Sequence, residues 1–177
     1  TTGTDRFFGN YVDASDNIYA FGYDNSGTCL IIKYDTTGAV TWKNTFNLAT
    51  GCSCYSGTVD SSGNVYAGGY FSGATKGFLM KTNSSGTVTW TRSLSGTSEG
   101  QCSDAIVDST GSNVYVGFSW SSGTRRSGVA KYNSSGTIQW QRQLNITSGN
   151  AMRITRDSSD NVYAISDDEN YVVKYNS

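Results

Sequence analysis

The chain has no histidine and no proline among its 177 residues. Without histidine it cannot form a Ser-His-Asp or Cys-His arrangement, and the commonest metal ligand is missing. Charge is sparse as well: 13 basic and 14 acidic side chains leave a formal charge of −1. No global field therefore draws the chain to nucleic acid or to an anionic membrane surface. No apolar run approaches the roughly 18 residues of a spanning helix, so membrane insertion is not expected. Neither a phosphate-binding loop nor a dinucleotide fingerprint occurs. The lack of proline is unusual in a chain so rich in turns, and nothing physical in the sequence accounts for it. The chain opens on Thr1 with no signal peptide, so a processed chain or a piece of a longer one is expected.

What remains is a turn-rich, aromatic-rich chain of a length that suits one domain with a moderate core. The apolar fraction of 36% lies below the roughly 45–50% of globular proteins. The low value accompanies 21 glycines and abundant Ser, Thr and Asn, which are the residues of tight turns. Twelve Tyr, seven Phe and four Trp argue against disorder, because disordered chains are poor in aromatics. Many short strands joined by many turns need this mixture.

One phrase is written four times. "DASDNIYAFGY" starts at Asp13, "DSSGNVYAGGY" at Asp60, "DSTGSNVYVGFS" at Asp108 and "DSSDNVYAISD" at Asp157, spaced by 47, 48 and 49 residues. A second marker keeps the same period: "KYDTTGAVTW", "KTNSSGTVTW" and "KYNSSGTIQW" place tryptophan at 42, 90 and 140. The fourth copy stops at "KYNS". Two markers on one period of this size imply stacked or circular repeats. Within a period the pattern is β. A strand leads to the Asp turn, "NVYAGGY" forms a second, "GFLMK" a third, and "TVTWTRSL" alternates Val88 and Trp90 with threonines as a fourth. Four antiparallel strands in about 48 residues is the size of one propeller blade. The expected fold is all-β: about 3.5–4 blades with repeats near 5–50, 51–98, 99–148 and 149–177, the last lacking its outer strand.

The stretch "DSSGNVYAGGY…GFLMKTNSSGTVTW" resembles the SBBP-type β-propeller repeat, with NHL-type repeats a near neighbour. The resemblance covers roughly Phe7 to Tyr175 and implies a scaffold, not an activity. Departures fall at single turns: Asp16 and Asp160 replace the turn glycine, and Ser112 adds a residue. Closed propellers have about 4–8 blades. Closure is therefore expected from a longer parent chain, from pairing with a second copy or from a tight four-bladed ring.

Few residues invite a chemical reading. The repeated aspartates, with Asp16 and Asp160, invite a Ca²⁺ reading, but they lack the bidentate Glu and the run of oxygen ligands, and read as turn formers. Lys33, Lys81, Lys131 and Lys174 recur at one blade position and read as strand lysines with stems packed on aromatics. Trp42, Trp90 and Trp140, in register with Val40, Val88 and Ile138, are expected on the buried face between blades. Cys29, Cys52, Cys54 and Cys102 fit free thiols or one disulfide better than a metal site. Neither a metal nor another cofactor is expected.

Trp120, Arg125 and Arg126 are different. They stand in "GFSWSSGTRRSG", expected as a hairpin tip, with no counterpart in the other copies. An aromatic beside two arginines suits a sugar, an acidic group or a protein partner. Asp167, Asp168 and Glu169 could act as paired acids in glycoside hydrolysis, but read as a solvated turn. The sequence therefore points to a non-enzymatic binding or structural module, extracellular or surface-exposed, with a protein or glycan partner. A virion fibre or decoration protein is one alternative, and a fragment of a propeller glycosidase or lyase is another.

Overall fold

Each repeat begins with an aspartate that folds its own turn. Asp13 Oδ1 accepts hydrogen bonds from the main-chain N–H groups of Ser15 (2.9 Å) and Asn17 (3.0 Å). The Asn17 side-chain amide reaches back to Asp13 Oδ2 at 2.9 Å, and the Tyr19 hydroxyl donates to the same oxygen at 3.2 Å. The pattern recurs at Asp60 with Asn64 and Tyr66, and at Asp157 with Asn161 and Tyr163. Asp108 keeps it through Asn113, displaced by the extra Ser112. The carboxylate thus satisfies amides that a tight turn leaves unpaired. Asp16 and Asp160 adopt φ of 61° and 63°, close to the 78° of Gly63, so they hold the same left-handed position at some steric cost.

The computed structural model describes residues 4–48, 51–72, 76–94, 99–121, 125–144, 152–166 and 172–176, with the main chain alone for Glu99 and Arg125. The fold is an all-β propeller built from four antiparallel sheets. Blade one holds β1 (Arg6–Val12), β2 (Ile18–Tyr23), β3 (Cys29–Tyr34) and β4 (Val40–Phe46). Blade two holds β5 (Cys52–Val59), β6 (Val65–Phe71), β7 (Lys76–Thr82) and β8 (Val88–Ser93). Blade three holds β9 (Glu99–Val107), β10 (Asn113–Ser121), β11 (Arg125–Asn133) and β12 (Ile138–Gln143). Among the described residues blade four has three strands: β13 (Met152–Arg156), β14 (Val162–Ser166) and β15 (Val172–Tyr175). Strands within each sheet follow chain order, so every connection inside a blade is a hairpin.

The core lies between blades rather than at one centre. Tyr19, Phe21 and Ile31 of blade one meet Val65, Ala67, Phe78 and Met80 of blade two. Tyr66 and Leu79 then meet Val114, Val116 and Ala130, and Tyr115 and Val129 meet Val162 and Ala164. Strand alternation makes this possible, since successive residues face opposite neighbours and both faces of a middle blade are apolar. Gly57 is required where the sheets approach closely: a Cβ there would collide with the Phe21 ring of the preceding blade. A disulfide joins Cys29 of β3 to Cys52 of β5, with Cα atoms 5.0 Å apart, and so crosses the first blade boundary. Cys54 and Cys102 are free, buried thiols, and burial pushes both pKa values up.

The two ends of the arc are only partly covered: on the rear of blade one Leu30 and Ile32 are buried, but other apolar residues are not. Val12 and Ile18 on the rear of blade one are 54% and 41% exposed, whereas their counterparts Val59 and Val65 are at 5% and 0%. On the front of blade four, Val172 is 62% exposed, against 0% for Val129. The outer strands also depart from expectation. Val40, Val88 and Ile138 are exposed, not buried beside the tryptophans. A register shift between Lys33 and Tyr34, repeated at Lys81/Thr82 and Lys131/Tyr132, inserts one residue between each valine or isoleucine and its tryptophan. Such a bulge breaks the two-residue alternation on which the expectation rested.

Candidate functional site

The repeated side chains are occupied by the scaffold. Lys33, Lys81, Lys131 and Lys174 each lie over the ring of the repeated tyrosine on the neighbouring strand, at 5.3, 5.0, 5.2 and 5.4 Å from its centre. Lys81 also donates to the Ser134 carbonyl oxygen of the next blade at 3.2 Å. The Trp42 and Trp90 indoles donate to the carbonyl oxygens of Ser84 and Ser134, again one blade onward. Arg92 reaches the Gly136 carbonyl oxygen at 2.8 Å. Lys81, Trp42, Trp90 and Arg92 therefore join blade to blade, while the turn aspartates are spent on their own turns. A candidate site must come from residues that break the repeat.

Trp120 is one of these, and the structure places it in a strand rather than at the hairpin tip. It sits near the end of β10, opposite Gly100 on β9 and Arg126 on β11. Its ring stacks on Phe118 at 5.2 Å with a 23° interplanar angle, and it packs partly against the core between blades two and three. Directly opposed residues share a sheet face, so the half-buried Arg126 and Trp120 form a cross-strand pair. The Arg125 main chain opposes Ser121, one step further along the hairpin. Asp167, Asp168 and Glu169 lie outside the described residues.

A second cluster carried no sequence motif. Phe8, five residues before Asp13, is the extra residue of a bulge in β1, between Phe7 and Gly9. Tyr55 holds the same place in β5, between Cys54 and Ser56. In β9 the corresponding bulge residue is Ser103. All three bulges fall in the first strand of a blade, and a bulge re-aims the side chain it carries. The Phe8 and Tyr55 rings meet edge to face at 5.1 Å and 82°, across the blade boundary. Tyr23, at the end of β2, lies 5.7 Å from Phe8, and Tyr70, near the end of β6, stacks on Tyr55 at 6.0 Å and 9°. Four rings from four strands thus form one continuous aromatic surface, with Phe8 49% exposed. Burial raises the Tyr55 pKa, and the neighbouring phenols Tyr70 and Tyr23 raise it further, so the group stays neutral well above pH 7.

Beside this surface, Asp104 braces the centre of the arc. Its Oδ1 accepts from the Ser56 hydroxyl (2.7 Å) and the Ala105 N–H (3.0 Å), and its Oδ2 accepts from the Ile154 N–H (3.0 Å). One carboxylate therefore links blades two, three and four. Among the described residues no group of three or more Cys, Asp or Glu side chains is placed to hold a metal ion.

Sequence reasoning missed the ring cluster because bulges leave no clear mark in a sequence. The position five before each turn aspartate reads Phe8, Tyr55, Ser103 and Met152, and the positions on either side of it vary as much, so the column does not stand out.

No family model matches the chain, and no curated protein matches it in sequence. Solved structures do match in fold. One is a neuraminidase-like protein from A/bat/Guatemala/164/2009, at 14% identity and a TM-score of 0.57 over 97% of this chain and 54% of that one. Another is a subtype N10 neuraminidase-like protein of A/little yellow-shouldered bat/Guatemala/060/2010, at 14% identity and a TM-score of 0.54 over 97% and 59%. The chain thus spans little more than half the length of these two proteins. At this identity the likeness shows the fold alone.

Proposed function

We propose that this propeller is a non-catalytic binding module that recognises a glycan or protein partner in a secreted or surface setting. One observation carries the reading. The side chains that repeat are consumed by turns and blade contacts, whereas the blade-specific aromatic rings Tyr23, Tyr70 and Trp120, with Arg126 beside Trp120, stand near the ends of β2, β6 and β10, opposite the aspartate turns. Blade-specific rings at one end of a repeated scaffold suit recognition. The Cys29–Cys52 disulfide supports an oxidising compartment, since disulfides persist there and are rare in the cytosol. The test is a glycan array run alongside a panel of glycoside substrates. Saturable binding without turnover is expected. Turnover abolished by Asp167→Asn or Asp168→Asn would overturn the reading.

The exposed apolar residues at the two ends of the arc, Val12, Ile18 and Val172, support a second statement about partners. The rear of blade one and the front of blade four are the same two surfaces that pack together at each internal boundary. The occupant they fit is another blade of this repeat, and for the 177-residue chain alone that means a second copy, blade four of one against blade one of the next. Light scattering on the eluting peak of a size-exclusion column tests this. Mass rising with concentration above 19.0 kDa is expected, and Val12→Lys or Val172→Lys should return the chain to monomer. A wild-type chain monomeric throughout overturns it.

A further inference from the structure

We infer that the Phe8–Tyr23–Tyr55–Tyr70 surface is a platform for a neutral saccharide. The inference rests on the binding-module reading and adds the place and the ligand class.

The ring geometry selects among ligands that bind aromatic clusters. A quaternary ammonium needs rings arranged around a void, so that several faces meet the cation. Here the centroids are only 5.1, 5.7 and 6.0 Å apart, so each ring touches the next and leaves no space between them. The cluster is a surface, not a cage. A nucleic-acid strand also stacks on rings, but it needs a basic groove to follow its phosphates, and 13 basic against 14 acidic side chains give this chain no such excess. A pyranose ring presents a flat face of C–H groups and a rim of hydroxyls. The platform offers both complements: ring faces for the C–H groups, and the phenol hydroxyls of Tyr23, Tyr55 and Tyr70 for the rim.

The surface is also built rather than incidental. Phe8 and Tyr55 are each placed by a bulge at the same step of two successive blades, and the bulge persists in blade three, where it carries the buried Ser103. In blade three the position of Tyr23 and Tyr70 is Ser119. The aromatic surface is therefore confined to blades one and two and gives way to hydroxyl side chains in blade three. An acidic sugar would instead be expected at Arg126 beside Trp120, one blade boundary further on.

The experiment is saturation-transfer NMR followed by calorimetric titration of the 177-residue chain. The probes are maltohexaose, cellohexaose and N-acetylchitohexaose, with sialyllactose as the acidic control and choline as the cationic one. At least one neutral hexasaccharide is expected to bind, with neither control matching it. Phe8→Ala and Tyr55→Ala should each raise Kd by about tenfold, the loss of roughly one aromatic contact. Tyr55→Phe keeps the ring and should change Kd less than threefold, which separates lost stacking from lost folding. Trp120→Ala should leave Kd within twofold. Neutral-sugar binding that falls with Trp120→Ala and not with Phe8→Ala overturns the platform while the binding-module reading stands. Absence of any neutral-sugar binding, or a Phe8→Ala variant that alters oligomer mass without altering sugar affinity, also overturns it. Hydrolysis of the hexasaccharides by the wild-type chain sinks the non-catalytic reading instead.

Discussion

The Lys81 ammonium lies 5.0 Å above the Tyr66 ring of its own blade while donating to the Ser134 carbonyl oxygen of the next. One side chain thus joins the cation–π pair that repeats in every blade to a contact that crosses between blades. Among the described residues Lys174 has the first without the second: it lies 5.4 Å over Tyr163, on the front of blade four. Lys81→Met should therefore cost about 1–2 kcal/mol, from a cation–π contact and a charge-assisted hydrogen bond. Lys174→Met should cost no more than about 0.5–1 kcal/mol. Urea denaturation of the two variants decides it, and equal losses would count against a role for the Ser134 contact.

Asp16 and Asp160 share one left-handed conformation, yet their replacement by glycine should have opposite effects. Asp160 accepts from the Ser109 main-chain N–H at 2.9 Å and from the Ser109 hydroxyl at 2.6 Å, and pairs with Arg156 at 2.9 Å. Asp16 is exposed and makes none of these contacts. Asp16→Gly relieves the backbone and should be neutral to mildly stabilising. Asp160→Gly loses the bond between blades three and four and should cost about 1–2 kcal/mol. Thermal melts of both variants against wild type provide the comparison.

The turn aspartates make a prediction about acid. The Asp157 pKa is pushed down to about 2, chiefly by the Asn161 side-chain amide and also by the Asn161 and Ser159 main-chain N–H groups and the Tyr163 hydroxyl. At Asp13 burial acts upward, but bonds from Asn17, Ser15 and Tyr19 outweigh it and leave the pKa lowered. Asp24, Asp35, Asp108 and Asp160 are lowered as well. A carboxylate with a depressed folded pKa contributes its full stability above the unfolded value of about 4 and loses it as pH falls through the folded one. The melting temperature should therefore stay nearly level from pH 7 to about 5 and then fall steeply between about 4 and 2. Asp157→Asn should flatten part of that fall, and a wild-type profile that is level down to pH 2 would contradict the account.

Removing the Cys29–Cys52 disulfide should loosen the first blade boundary. The two residues are 23 apart in sequence, and a loop of that size corresponds to about 3 kcal/mol in the chain-entropy view. Peptide mapping without reductant should recover the Cys29–Cys52 pair, with Cys54 and Cys102 labelled only after unfolding. Dithiothreitol, or Cys29→Ser with Cys52→Ser, should lower the urea midpoint. An unchanged midpoint in the double variant would show that the bond contributes nothing.

The sequence by itself determined the blade. The aspartate turn is local: Asp13 reaches Asn17 and Tyr19 within a few residues, so its chemistry is written where it acts. Strand alternation and the period near 48 residues are local or repetitive in the same way, and they carry the propeller with them. What tertiary structure alone decided lies where the chain leaves its regular period or meets another blade. The one-residue shifts beside Trp42, Trp90 and Trp140 turned Val40, Val88 and Ile138 outward, because a bulge reverses the alternation that any pattern reading assumes. The choice of Cys52 rather than Cys54 as the partner of Cys29 depends on how two sheets face each other across a boundary. Phe8 and Tyr55 are 47 residues apart in sequence. They meet at 5.1 Å because two bulged strands stand side by side in successive blades, a proximity that no local spacing encodes.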